Sequence, residues 1–283
     1  MIEILKAALF GLVEGITEWL PISSTGHMIL LNEFVTLNVS KDFWDMFLVV
    51  IQFGAILAVV LLYWKTIWPL GLYKHRKRTR IVVKKDTLML WAKTIVACLP
   101  AAVVGVLFDD WLNEHLYNWL VVAIMLILVG IAFIVIETVY RGRKAKTDDL
   151  NDISFQQAFL IGLFQLIAAI FPGTSRSGAT IIGGLLIGVS RTVAAQFTFV
   201  LAIPVMAGAS LLKIVKYGFS FSSMELAILA TGMIVAFAVS IVVIRFLMRY
   251  IRQHDFKVFG WYRIVLGVLV IVYFALTGHT VSA

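Results

Sequence analysis

The chain has 283 residues, of which 61% are apolar and only 14% charged, and its mean hydropathy is +0.97. This composition excludes an ordinary water-soluble globule and makes the bilayer the solvent, since runs of about 20 apolar residues suffice to cross a hydrocarbon core roughly 30 Å thick. The formal net charge of +8 does not point to nucleic acid, because the basic residues sit mostly in short loops between apolar runs, where they set orientation and meet anionic lipid head groups.

The first apolar region, about 4–37, reads as retained rather than as a secretory signal: it lacks a basic leader and a small-residue cleavage site, and it contains Glu14 and Glu18. Near its middle it is broken by Pro21-Ile22-Ser23-Ser24-Thr25-Gly26, which predicts a helix–turn–helix hairpin that enters and leaves on one side. Spanning helices are predicted over 44–64, 87–108 and 118–140. A second broken region, about 154–190, carries Pro172-Gly173-Thr174-Ser175-Arg176-Ser177-Gly178, and spans follow over 193–213, 225–245 and 258–278. Cys98 is the only cysteine, so neither an internal disulfide nor a thiolate metal cluster can form.

Loop charges set the orientation. Loop 65–86 carries Lys65, Lys74, Arg76, Lys77, Arg78, Arg80, Lys84 and Lys85, and loop 141–152 carries Arg141, Arg143, Lys144 and Lys146, so both are expected in the cytoplasm. Loop 109–117, with Asp109, Asp110 and Glu114, is expected outside, segment 245–257 with Arg245, Arg249, Arg252 and Lys257 inside, and both termini outside. The Lys74 to Lys85 cluster reads as a solvated, lipid-facing loop.

Residues 7–24 and 158–175 align without a gap at a constant offset of 151, matching Gly11 with Gly162, Ile16 with Ile167, Pro21 with Pro172 and Ser24 with Ser175. Because the loop charges place the two hairpins on opposite faces, the expectation is an inverted-topology repeat whose broken points meet near the midplane. The expected fold is an all-α polytopic membrane protein, a single domain over 1–283. It has six transmembrane helices and two re-entrant helical hairpins, with halves of about 1–140 and 153–283.

Glu14 and Glu18 are four residues apart, so a helix puts both carboxylates on one face. With Arg176 they would cost on the order of 8–10 kcal/mol if exposed to lipid, so they line a wet cavity or pair together. Ser23, Ser24, Thr25 and His27 follow Pro21. A serine with a nearby carboxylate or imidazole base is a usable nucleophile for phosphorus, and free N–H groups of a restarting helix can hold anionic oxygens. Arg176 offers a planar fork to phosphate, Gly173 and Gly178 permit close backbone approach, and Thr174, Ser175, Ser177 and Thr180 add hydroxyl donors. Lys93 and Arg263 are expected to snorkel from the cytoplasmic ends of their spans. Gly183, Gly184 and Gly188 read as close helix packing, and Pro100 and Pro204 as kinks.

The run Glu14-Gly15-Ile16-Thr17-Glu18-Trp19-Leu20-Pro21-Ile22-Ser23-Ser24-Thr25-Gly26-His27, together with Pro172-Gly173-Thr174-Ser175-Arg176-Ser177-Gly178-Ala179-Thr180, closely resembles the undecaprenyl pyrophosphate phosphatase family, also known for bacitracin resistance. The resemblance covers nearly the whole chain. It implies hydrolysis of a C55 isoprenyl diphosphate to the monophosphate in the bacterial inner membrane, dependent on a divalent cation, at a site open to the extracytoplasmic side. It also implies that Glu14, Glu18, Ser24, His27, Ser175, Arg176 and Thr180 line that site.

The roles expected on that basis put Arg176, Ser175, Ser177 and Thr180 on the diphosphate, with Ser23 and Thr25 beside it, and Glu14 and Glu18 on Mg²⁺ or Ca²⁺. Ser24 attacks with Glu18 or His27 as its base, direct attack by His27 being the alternative. The expected partners are undecaprenyl pyrophosphate and membrane lipids, with no nucleic acid; the oligomeric state is not fixed by sequence, a homodimer being one form open to it. An inverted repeat with broken helices is also a transporter design, so a lipid-phosphate flippase or small-anion carrier is the competing expectation.

Overall fold

A computed structural model describes residues 1–75 and 78–277. Arg76 and Lys77 of the basic loop, and residue 278 of the last predicted span, lie outside the described residues. The order is α1 (Ile2–Thr17), α2 (Ser24–Phe34), α3 (Lys41–Leu62), α4 (Trp64–Ile67), β1 (Leu70–His75), β2 (Arg78–Val83), α5 (Lys85–Leu116), α6 (Trp119–Val139), a 3₁₀ turn (Leu150–Asp152), α7 (Phe155–Ile170), α8 (Arg176–Leu186), α9 (Arg191–Tyr217), α10 (Ser223–Tyr250) and α11 (Lys257–Thr277).

Among the described residues, six helices are long and apolar enough to cross a membrane: α3, the Lys85–Gly105 part of α5, α6, α9, α10 and α11. They coincide with the six predicted spans. Large apolar side chains such as Leu61, Leu128, Val135, Ile234, Val242 and Leu269 face outward, which water would penalise and acyl chains accept. The protein is a multi-pass, mostly helical membrane protein. Polar caps start the helices: Ser40 accepts from Phe43 N, Asn118 from Val121 N and Ser190 from Val193 N, and Ser154 and Ser222 form capping boxes with Gln157 and Glu225.

Two expectations about loops are corrected. Segment 65–86 is not plain loop: it holds α4 and a two-stranded antiparallel hairpin with Leu70 opposite Val83 and Leu72 opposite Ile81, so the fold is not purely α. Its β-forming residues lie at the strand ends flanking the basic run, and the charge density hid them. The predicted outer loop 109–117 is instead the end of α5, which runs unbroken to Leu116 because no glycine or proline follows Gly105.

Pairwise packing organises the bundle. α1 lies on α10, α7 on α5, α10 also on α3, α5 also on α9, α3 on α9 and α6 on α11. The α6–α11 contact is close because Gly130 and Gly260 face each other: a Cβ on either would lie 2.7 Å from the other's carbonyl oxygen. Gly183 sits against the Phe164 ring and Gly184 against Ala194, so these glycines serve helix packing as expected. Pro100 and Pro204 lie inside α5 and α9. α1 and α2 are joined by the turn at Pro21, α7 and α8 by the turn at Pro172, and α2 and α8 both pack against α6.

Candidate active site

The two turns meet. Ser177 Oγ at the start of α8 donates to Glu18 O at 3.1 Å, and Arg176 Nη2 donates to Glu18 Oε1 at 3.0 Å. The local sequences explain why each turn breaks where it does: Pro21 and Pro172 cannot continue the preceding helices, and each chain reverses through one serine in the left-handed region, Ser23 (φ 73) and Ser175 (φ 68), before a new helix starts. This shifts the expected pairing. Ser175, the cap of α8, corresponds to Ser23, the cap of α2, and Arg176 corresponds to Ser24; the second turn holds one more residue after its proline, so the gapless alignment fails there.

Glu18 is the hub. It is 6% exposed, and its second oxygen, Oε2, accepts a hydrogen bond from Ser24 Oγ at 2.9 Å. Arg176 is held from its other side by Thr198 O on α9, 3.0 Å from Nη1, while its Nε has no partner. Glu14, one turn earlier on α1 and 1% exposed, brings its carboxyl against that of Glu18 and leaves Oε1 unpartnered. Glu18, Ser24, Thr25, Ser175 and Arg176 open onto one cavity of about 260 Å³, also lined by Gln52, Pro172, Gly173, Tyr117 and Met206.

Ser175 Oγ caps Gly178 N at 3.2 Å and lies 3.1 Å from Ser177 Oγ. Thr180 is fully buried, its hydroxyl donating to Arg176 O at 2.9 Å or meeting Thr198 Oγ1 at 2.7 Å, so it braces the start of α8. Ser23 Oγ is buried without a partner, as is Thr174 Oγ1 in the other turn.

His27 does not reach Ser24. Its Nδ1 is 2.7 Å from Ser23 O and its Nε2 2.7 Å from the Tyr262 hydroxyl. Ser23 O can only accept, so Nδ1 carries a proton, and with the ring neutral Tyr262 donates to Nε2.

Two basic residues expected to snorkel do not. Lys93 is buried and donates to Asn151 O at 2.6 Å. Arg263 is 0% exposed, and its guanidinium donates to Pro21 O, Gly173 O and Thr174 O, the backbone of both turns. Gln52, Thr198, Tyr262 and Arg263 were not picked out by sequence as site residues. The signal that could have found Gln52, Thr198 and Arg263 is the one that found Glu14: a polar residue inside an apolar run.

A family described as Bacitracin resistance protein BacA matches residues 7–269. Among similar proteins, the undecaprenyl-diphosphatase of Desulfitobacterium hafniense is 60% identical over 275 residues, 97% of this chain and 97% of that protein. The undecaprenyl-diphosphatase of Enterococcus faecalis is 60% identical over 271 residues, 96% of this chain and 97% of its own length, and undecaprenyl-diphosphatase 1 of Clostridium acetobutylicum is 59% identical over 273 residues, covering 96% and 98%. These matches take in both turns and the helices that hold them, and the chain belongs to the bacitracin resistance protein BacA family.

Proposed function

We propose that the protein hydrolyses undecaprenyl diphosphate to undecaprenyl phosphate and inorganic phosphate, recycling the lipid carrier of cell-wall synthesis in the bacterial inner membrane and thereby conferring bacitracin resistance. The observation that carries the chemistry is the Ser24–Glu18–Arg176 constellation, with Glu18 buried and the other two facing the cavity, at the meeting of two broken helices. The name undecaprenyl-diphosphatase, borne by relatives about 60% identical over nearly the whole chain, supports the substrate.

In this reading Arg176 and the free N–H groups at the starts of α2 and α8 receive the diphosphate oxygens, with Ser175 and Thr25 beside them on the cavity wall. Ser24 Oγ attacks the terminal phosphorus while its proton passes to Glu18 Oε2. The bond from phosphorus to the bridging oxygen breaks, and undecaprenyl phosphate leaves with that electron pair and the proton released by Glu18. Water then attacks the phosphoserine and gives a proton to Glu18, which returns it to Ser24 Oγ as inorganic phosphate departs. The ion pair with Arg176 holds the Glu18 carboxylate in line for both transfers.

Glu14 and Glu18 fit a divalent cation, Mg²⁺ or Ca²⁺. Two carboxylates share one helix face beside the cavity, and Glu14 Oε1 is buried without a hydrogen-bond partner, an arrangement that oxygen-seeking cations accept. Bound there, the ion supplies positive charge to the diphosphate oxygens.

The proposal includes the architecture: two re-entrant hairpins, α1–α2 and α7–α8, related by an inverted repeat. In support, the contact of α1 with α10 is mirrored by α7 with α5, that of α3 with α10 by α9 with α5, and α3–α9 and α6–α11 pair across the relation. Gln165, paired with Glu14 by the 151-residue offset, is likewise buried with its polar atoms unpartnered. The cavity takes Leu112 and Tyr117 from the end of α5 opposite its basic start at Lys85, so by the positive-inside rule it opens extracytoplasmically.

Detergent-purified protein incubated with undecaprenyl diphosphate and Mg²⁺ or Ca²⁺ tests the reading. The expected result is equimolar inorganic phosphate and undecaprenyl phosphate, abolished by chelator. Intact substrate under every cation, with transport of a lipid phosphate across liposomes, would contradict it in favour of a carrier.

A further inference from the structure

Among the described residues, Arg263 is the largest buried cation that the chemistry above does not use. Inside α11, 0% exposed, it donates through Nη1 to Pro21 O at 3.2 Å and through Nη2 to Gly173 O at 2.8 Å and Thr174 O at 2.9 Å, with Nε 3.4 Å from Leu126 O on α6. One side chain thus bonds the backbone of the turn that delivers Glu18 and Ser24 and of the turn that delivers Ser175 and Arg176. Among the described residues its hydrogen bonds all go to main-chain carbonyls, and none to a carboxylate.

Two features separate this from a plain brace. A trans peptide directs its C=O and N–H oppositely, so drawing Thr174 O toward Arg263 turns Ser175 N–H away from it, and Ser175 and Gly173 both line the cavity. The guanidinium therefore lies one peptide layer behind the cavity wall. The second feature is charge: burying a cation without a counter-ion is costly, and a neutral donor would hold a turn at less expense.

We propose that Arg263 is a positioning residue for the phosphatase reaction: it locks the two turns into one backbone cradle, and its uncompensated charge is completed by the diphosphate of the substrate. This rests on the function proposed above. Arg263 acts through the turns and does not touch the reacting atoms. Its neighbour Tyr262 reinforces the same arrangement by holding His27, which in turn holds Ser23 O.

The test uses the full-length protein with undecaprenyl diphosphate as the probe. Arg263→Lys keeps the charge but loses the planar fork, and Arg263→Met keeps neither while filling similar volume. In both, kcat falls by about 100-fold, the scale expected when reacting groups shift by roughly an ångström. KM rises only in Arg263→Met; the unfolding midpoint falls in both, since buried carbonyls lose their donors, and kcat is therefore read per folded molecule, where a purely structural role leaves it unchanged. Leu266→Ala, a buried position on the same helix, serves as the control: it lowers the midpoint and leaves kcat per folded molecule unchanged.

Wild-type kcat and KM in both folded variants overturn the proposal. Failure of both to fold also overturns it, making Arg263 a stability element alone. If the wild type itself releases no phosphate, the phosphatase reading fails instead, and binding of a non-hydrolysable isoprenyl methylenebisphosphonate then decides the charge claim: weaker binding to Arg263→Met than to wild type supports it, and equal binding overturns it.

Discussion

Ser24 Oγ lies 2.9 Å from Glu18 Oε2, and the carboxylate that accepts this bond is gripped through its other oxygen by Arg176. The hydroxyl, carboxylate and guanidinium to which the proposed function gives the roles of nucleophile, base and orienting cation are thus joined across two segments that lie 158 residues apart in sequence.

The nucleophile is open to direct trapping. Both ring nitrogens of His27 are engaged, with Ser23 O and the Tyr262 hydroxyl, and neither bond leads to Ser24. Rapid acid quenching during turnover is therefore expected to yield an acid-stable phosphoenzyme whose label maps to Ser24 and is missing from Ser24→Ala. An acid-labile label on His27 would replace Ser24 as nucleophile.

Arg176→Ala removes the partner of a nearly buried carboxylate. Leaving one member of such a pair alone costs about 3–5 kcal/mol, so this variant loses activity and also melts at a lower temperature. Arg176→Lys retains much of the stability but not the bidentate fork, and is expected to show a higher KM. Calorimetry of the purified proteins beside initial rates separates the two effects.

Glu14 makes no hydrogen bond through Oε1, so its removal leaves little hydrogen bonding to lose. Glu14→Gln is expected to fold normally while needing a higher cation concentration for half-maximal rate. A cation titration unchanged from wild type would exclude Glu14 as a ligand.

Gly130→Val places methyl groups where the Gly260 carbonyl and Ile264 side chain already sit, 2.7 and 2.9 Å from the added Cβ. Overpacking costs typically about 1–3 kcal/mol, and here it pushes α11 off α6. The expected outcome is a lower unfolding temperature and, because α11 carries Arg263 to the turns, a lower kcat per folded molecule.

Much of this was legible beforehand for identifiable reasons. The six spans follow from hydropathy alone, and the turns from prolines set among small polar residues in otherwise apolar runs. Glu14, Glu18 and Arg176 stood out because charge is expensive in lipid. The same rule, applied to residue 263, gave the wrong answer: six residues into α11 is only about 9 Å of rise, shallow enough to suggest snorkelling, and nothing local shows that both turns reach that depth. The equivalence of Ser24 with Ser175 failed because one extra residue after Pro172 shifts the register of α8, a matter of backbone dihedrals that residue matching does not see. His27 was expected to serve Ser24 as a base, but its ring turns toward Tyr262, a partner 235 residues away.

The measurement that bears most directly on the central claim is the initial rate of phosphate release from undecaprenyl diphosphate by wild type and Glu18→Gln, both shown to be folded. The account predicts a cation-dependent wild-type rate and a loss of at least about 100-fold in the variant, the lower end of what a positioned general base contributes. A folded Glu18→Gln protein that releases phosphate at the wild-type rate would contradict it.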